Sequence, residues 1–155
     1  MERVLVSACL IGELVRHHGG HAQSGHPTLA RWVDEGRVVS VCPEMLGGLP
    51  APRPPAEIVP GTSRVVTREG VDVTAEFTRG AEVVAGVAES NRIRIAVLKA
   101  NSPSCGSNII YDGTFSGTKI PGDGLTTARL RALGIEVFSE EQIDAAAEYL
   151  ASLER

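Results

Sequence analysis

The residues of this chain best suited to chemistry are its cysteines, Cys9, Cys42 and Cys105, because a thiolate is both a nucleophile and a soft metal ligand. No two of them lie within one turn of chain, so neither a C-x-x-C redox pair nor a zinc-ribbon knuckle is present. What remains is an arrangement made by the fold. Free cysteine is also a small hydrophobe that packs well in a core, and Ala8-Cys9-Leu10 fits that plainer reading. Val41-Cys42-Pro43-Glu44 and Ser104-Cys105-Gly106-Ser107 do not, because they put sulfur in polar turns.

Three converging thiolates admit zinc with a fourth ligand from protein or water, or an iron–sulfur cluster short of one cysteine. In the second case one iron stays open as a Lewis acid for a substrate sulfur or oxygen. For zinc the chain offers His17, His18, His21 and His26 after Cys9. A solvated Gly-rich loop explains these four more simply, with His18 and His21 the pair that could serve a pocket. Glu44, two residues past Cys42, would lie beside a bound metal as a general base for water or a partner for substrate. Asn101, Ser102, Ser104 and Ser107 crowd the Cys105 segment with groups that could orient substrate or tune the sulfurs, though any turn favours such residues. Arg16, Arg53 and Lys99 border the same region and could offset thiolate charge. Gly122-Asp123-Gly124 and the stretch GTFSGTK match neither the dinucleotide fingerprint nor the phosphate-loop pattern, so a nucleotide is not the expected ligand.

These residues need elements to carry them. Residues 3–8 (RVLVSA) and 37–41 (RVVSV) read as β-branched strands, each with a cysteine just beyond its end. Residues 94–98 (RIAVL) form a third strand, with Cys105 in the segment leaving it, and 135–138 (IEVF) a fourth. Between them, helices are predicted over 27–35, with Leu29, Trp32 and Val33 at helical spacing, and over about 74–91, capped by Asp72 or Thr74. The apolar face of the second is Phe77, Val83, Val84 and Val87. A third helix follows Asp123 and closes at Gly134. The last is opened by a Ser139/Gln142 capping box and turns Ile143, Ala146, Ala147 and Leu150 inward. Residues 43–61, with Pro43, Pro50, Pro52, Pro54, Pro55 and Pro60, read as loop, as do residues 99–113. Alternating strands and helices predict an α/β protein: one compact domain over 1–155 with a mostly parallel, Rossmann-like sheet flanked by helices. In such a sheet all strands end at one edge, where ligands bind at a switch in strand order, so three cysteines distant in sequence can meet on one rim.

Composition agrees with an ordinary globular chain: 155 residues, 43% hydrophobic and 22% charged, net charge -4. Mild acidity with no basic block argues against duplex nucleic acid, and six aromatics, from Phe 3, Tyr 2 and Trp 1, supply little for stacking single strands. No apolar run approaches the roughly 20 residues of a membrane span, and the N-terminus does not read as a secretory signal. The expected location is cytoplasmic, with no membrane partner.

The segments ACLIGELVR, VCPEMLGGLPAPRPPAEI, DVTAEFTRGAE, LKANSPSCGS and IYDGTFSG together resemble the thiouracil desulfurase family, over residues 3–142, in its short stand-alone form. The resemblance implies a compact α/β fold holding a [4Fe–4S] cluster through Cys9, Cys42 and Cys105, with the fourth iron open to sulfur. It favours the cluster over zinc and puts Glu44 and Ser102 beside the substrate. Where many relatives read Arg-Tyr-Asp-Gly, this chain has Arg16-His17-His18-Gly19, which removes an acidic group. The expectation is a non-redox desulfurase for a small thiolated nucleobase. Glu44 and Ser102 are its catalytic pair, and Asn101, Ser104 and His18 contact substrate. A thiolated nucleoside is a variant of this reading, and a non-catalytic zinc or iron–sulfur module, using His18 or His21, is the competing one.

Overall fold

A computed structural model describes residues 1–12, 18–20 and 24–155. In chain order the elements are β1 (Val4–Ser7), α1 (Pro27–Asp34), β2 (Val38–Val41), α2 (Pro43–Leu46), β3 (Ala56–Ile58), β4 (Val65–Thr67), α3 (Thr74–Ser90), β5 (Ile95–Leu98), β6 (Ile109–Tyr111), β7 (Lys119–Pro121), α4 (Leu125–Ala132), β8 (Glu136–Ser139) and α5 (Ile143–Leu153). The main sheet runs β2-β1-β5-β8 with every pair parallel. Ser7 sits opposite Val41, and Val6 opposite Val97, so β1, β2 and β5 end side by side. The chain leaves β1 to one side for β2 and later to the other for β5. The switch point therefore falls between β1 and β5.

Burial follows the two-residue period of a strand. Val4, Val6, Ile95 and Val97 pack with Leu29 and Trp32 of α1 and with Ile143, Ala146 and Leu150 of α5. On the opposite face Leu5, Ala96 and Leu98 pack with Val84 and Ala88 of α3 and Leu130 of α4. β1 and β5 are buried along their whole length, as strands covered on both faces must be. A third cluster joins Ile58, Val65 and Ile110 of the two small sheets to Val73 and Phe77.

The predicted sheet and its flanking helices are present, and the differences are local. Within residues 43–61, α2 is a single turn with Pro43 in the first position, where the missing N–H costs nothing, and β3 pairs only with β4. Residues 99–113, read as loop, contain β6, which pairs with β7. Val33 and Val83 are exposed: each is a sequence neighbour of a buried residue, Trp32 or Val84, and a helix turns about 100° per residue, too far for both to face the core. The Ser139/Gln142 capping box is formed, on a short 3-10 turn (Glu140–Gln142) that leads into α5. The N-cap of α3 is Val73, without a side-chain cap, rather than Asp72 or Thr74; Asp72 Oδ1, one residue ahead, accepts from Thr74 N at 2.9 Å, and the Thr74 hydroxyl and then this N–H hold its carboxyl below the usual range.

α2 lies close against α3. A Cβ on Gly47 would stand 1.9 Å from the Glu76 carbonyl oxygen, and one on Gly80 2.0 Å from that of Pro43, while Arg79 Nη1 donates to Gly47 O at 2.8 Å. Gly80→Ala should therefore displace α2 and lower stability by roughly 1–3 kcal/mol. Gly86→Ala, on the exposed side of the same helix with nothing within 4 Å, should raise it by about 0.5–1 kcal/mol. Urea unfolding of the two variants checks both signs.

Candidate active site

Cys9 follows β1 in a 3-10 turn (Ala8–Ile11), Cys42 caps α2 directly after β2, and Cys105 stands in the segment after β5. All three line one cavity of about 200 Å³ at the carboxyl edge of the sheet, together with Glu44, Ser102, Arg53 and Lys99. Cys9 and Cys105 are buried and Cys42 is half-buried.

The Cys105 segment is held by its own polar groups and by α4. Ser102 Oγ accepts from Cys105 N at 2.7 Å and from Ser104 N at 3.2 Å. The first N–H groups of α4, which have no partner inside the helix, donate to the same segment: Leu125 N to Pro103 O at 2.8 Å, Thr126 N to Ser104 O at 2.9 Å and Thr127 N to Ser104 O at 3.1 Å. Thr127 Oγ1 adds a bond to Cys105 O at 2.9 Å. At Gly124 a Cβ would meet the Ser104 carbonyl carbon at 2.4 Å, so only glycine permits this approach. Asn101 turns the chain out of β5 with φ +70°, a conformation Asn tolerates.

Glu44 is hydrogen-bonded at one oxygen and faces a cation at the other. Ser104 Oγ donates to Oε1 at 2.7 Å, and Arg53 Nη2 lies 3.4 Å from Oε2. Ser104 Oγ also lies 3.6 Å from Cys105 Sγ; with its single proton on the nearest acceptor, Glu44, the 3.1 Å bond between Ser102 and Ser104 takes its proton from Ser102. Burial pushes the Cys105 thiol well above its usual range; the Glu44 charge and, last, Cys9 add to this, while the Ser7 and Ser104 hydroxyls oppose it. Cys42 is raised by burial and then by Glu44, against the Met45 and Glu44 backbone and Arg53. Such sulfurs keep their protons in water and lose them to a bound soft metal. Lys99 Nζ pairs with Glu140 Oε2 at 2.8 Å, and Glu140 Oε1 accepts from Ala100 N at 2.7 Å.

The structure thus brings Cys9, Cys42, Cys105, Glu44 and Ser102 together. Ser104 is fully buried and reaches the cavity through Glu44, and Asn101 acts through the backbone; neither is among the lining residues. His18 is exposed, accepts from Gly20 N at Nδ1 (3.0 Å), and is likewise not in the lining. Arg16, His17 and His21 lie outside the described residues. His26 caps α1, accepting from Thr28 N at 3.1 Å, with Asp144 3.1 Å from its other nitrogen. Lining residues that sequence reasoning missed include Ser7, Glu57, Phe77 and Tyr111. Ser7, as the last residue of a strand ahead of a cysteine, carried a usable signal. Glu57 and Tyr111 arrive on the small sheets, inside segments of the family resemblance that assigned them no role. Among the described residues no three Cys, His, Asp or Glu side chains close on one point as the ligands of a single ion do.

A doubly wound α/β protein with three thiols and a fixed carboxylate at its switch point belongs to the class that can hold a soft metal centre at the sheet edge. The sequence model of the 2-thiouracil desulfurase family matches residues 4–142, and the chain belongs to that family. It is 44% identical to the uncharacterized protein YbbK of Bacillus subtilis (strain 168), covering 91% of this chain and 97% of that one. Among solved structures, the [4Fe-4S]-dependent thiouracil desulfidase TudS is 49% identical and superposes with a TM-score of 0.94 over 97% of this chain and 99% of that one.

Ser102→Ala would strip the acceptor from two N–H groups of the Cys105 segment. It should cost roughly 1–3 kcal/mol in urea unfolding of the metal-free chain. A change below about 0.5 kcal/mol would mean that other acceptors take over.

Proposed function

We propose that the protein is an iron–sulfur-dependent desulfurase that exchanges the thione sulfur of a nucleobase such as 2-thiouracil for oxygen. Thione and water give the oxo base and hydrogen sulfide, with no net transfer of electrons. The observation that carries this reading is the meeting of three thiols, from three separate strand ends, around one cavity beside a carboxylate held by Ser104 and Arg53. That donor set fits a [4Fe–4S] cluster. The chain has no fourth cysteine to close the cluster, and thiols spread around a cavity suit irons that sit apart better than a single zinc ion. Cys9, Cys42 and Cys105 would each hold one iron. When bound, the cluster supplies an iron without a protein ligand, a soft Lewis acid that takes sulfur in preference to oxygen and draws electron density from the thione carbon.

The chain's own residues do the rest. Glu44, its plane set by Ser104 and Arg53, accepts the proton of the water that adds to the thione carbon. Ser102, at the cavity wall with its proton directed to Ser104, keeps that carboxylate in place and borders the ring. Leu49, Val73 and Phe77 give the cavity an apolar side against which a flat heterocycle can lie and from which bulk water is displaced.

Protein prepared without oxygen should carry about four irons and four sulfides per chain and convert 2-thiouracil to uracil with release of sulfide. Stoichiometric zinc without sulfide after reconstitution would refute the reading. Glu44→Gln should keep the iron and lose turnover by about 100-fold or more; turnover at the parental rate would remove Glu44 as base. Cluster retention has a signed pH dependence. Cys42 and Cys105 hold their protons more tightly than ordinary thiols, and protons compete with iron, so the iron kept against a chelator should fall as pH is lowered and rise as it is raised.

A further inference from the structure

A cation sunk into the wall of a small cavity is costly unless something in the cavity uses it. The Arg53 side chain is 6% exposed and lines the same cavity as the three thiols. It stands on residues 50–55, where Pro50, Pro52, Pro54 and Pro55 restrict the backbone, and its Nη1 donates back to Pro50 O at 3.1 Å. Its link to Glu44 is a single 3.4 Å contact from Nη2, longer than the roughly 2.7–2.9 Å of a tight charge-assisted bond and not the paired fork that arginine makes when a carboxylate is its main partner. Glu44 takes its shorter bond, 2.7 Å, from Ser104. Among the described residues Pro50 is the hydrogen-bond partner of Arg53 and Glu44 its ion-pair partner, and its charge also acts on the Cys42 thiol. A guanidinium has five N–H donors, so donors remain for a ligand. The open iron selects sulfur at one end of a substrate, and apolar walls such as Leu49 and Phe77 cannot tell one flat ring from another. A buried donor can, because a ligand without an acceptor leaves it unpaired.

We propose that Arg53 is the specificity-determining residue of this cavity, its remaining N–H groups donating to a ring oxygen and so selecting heterocycles that carry an oxo group as well as the thione. This rests on the desulfurase reading and names the part of the substrate that the metal centre does not read. The experiment compares 2-thiouracil with pyrimidine-2-thione, the same thione ring without the 4-oxo group, by kcat/KM, and their products uracil and pyrimidin-2-one by calorimetric binding to the cluster-loaded protein. The parent should favour the member of each pair that carries the 4-oxo group by roughly ten- to a hundred-fold, the worth of one hydrogen bond to a charged group. Arg53→Gln should bring both ratios to within about threefold, mainly through KM and Kd for the 4-oxo ligands. A merely structural role would weaken both ligands of a pair alike and leave the ratios unchanged. Iron per chain reports whether the site is intact. If Arg53→Gln fails to hold iron, Arg53→Lys, which keeps the charge but not the fork, carries the test with an intermediate ratio expected. Unchanged ratios in the variants, with 2-thiouracil still turned over by the parent, overturn the Arg53 assignment alone. A cluster-loaded parent that neither turns over the thiones nor binds the products overturns the desulfurase reading and this proposal with it.

Discussion

The pairing of Ser7 with Val41 across two parallel strands, with Val97 of β5 level with Val6 on the other side, is the constraint on which the site depends. Because the three strands run the same way and stop together, chain segments far apart in sequence leave the sheet at neighbouring points. Cys9 comes two residues after the end of β1, Cys42 one residue after the end of β2, and the Cys105 segment follows β5. A shift of β1 by one residue would exchange its faces. Leu5 would leave the α3/α4 side, and Ser7, which shares that face, would lose its hydrogen bond to the Cys105 sulfur. The register is in turn secured by burial, since every residue of β1 and β5 faces packed side chains.

Each thiol is then fixed by a different local device. Cys9 rides on a 3-10 turn continuous with β1, a strand buried along its whole length. Cys42 caps a single helical turn too short to be stable alone, which is clamped on α3 through the glycine contacts at Gly47 and Gly80. Cys105 sits in irregular chain whose carbonyl groups satisfy the first N–H groups of α4, so one set of bonds both starts a helix and positions a ligand. The positive end of that helix also faces the segment that would carry a thiolate. The end of β1 links two of them, since it leads into Cys9 and its Ser7 hydroxyl reaches the Cys105 sulfur.

The legible and illegible parts of the molecule divide along the same line. The four sheet strands and the long helices could be read because their apolar periodicity is strong, and the convergence of Cys9 and Cys42 follows from their places just past strand ends. The resemblance over residues 3–142 named Glu44 and Ser102, which the structure brings to the cavity with the thiols. The small strands β3, β4, β6 and β7 are three residues each. They are too short for a period to register, so Glu57 and Tyr111 went unread. Ser104 was expected to touch substrate. Only the tertiary contact with Glu44, sixty positions away, shows that its hydroxyl is spent on a carboxylate.

Charge balance explains why such a cavity suits a multivalent soft centre. Burial and the nearby Glu44 carboxylate both oppose ionisation of Cys42 and Cys105, and the site has no surplus positive charge: Glu44 is offset by Arg53, Lys99 by Glu140, and Glu57 also lines the cavity. Removing three protons would leave three buried negative charges with no cation to spare, an arrangement a low-dielectric site does not sustain. A centre that replaces those protons must therefore bring several positive charges with it and prefer sulfur to oxygen. A hard dication fails the second demand, because it prefers oxygen to sulfur. The electrostatic feature that keeps Cys42 and Cys105 protonated is thus the one that makes an iron–sulfur centre fit.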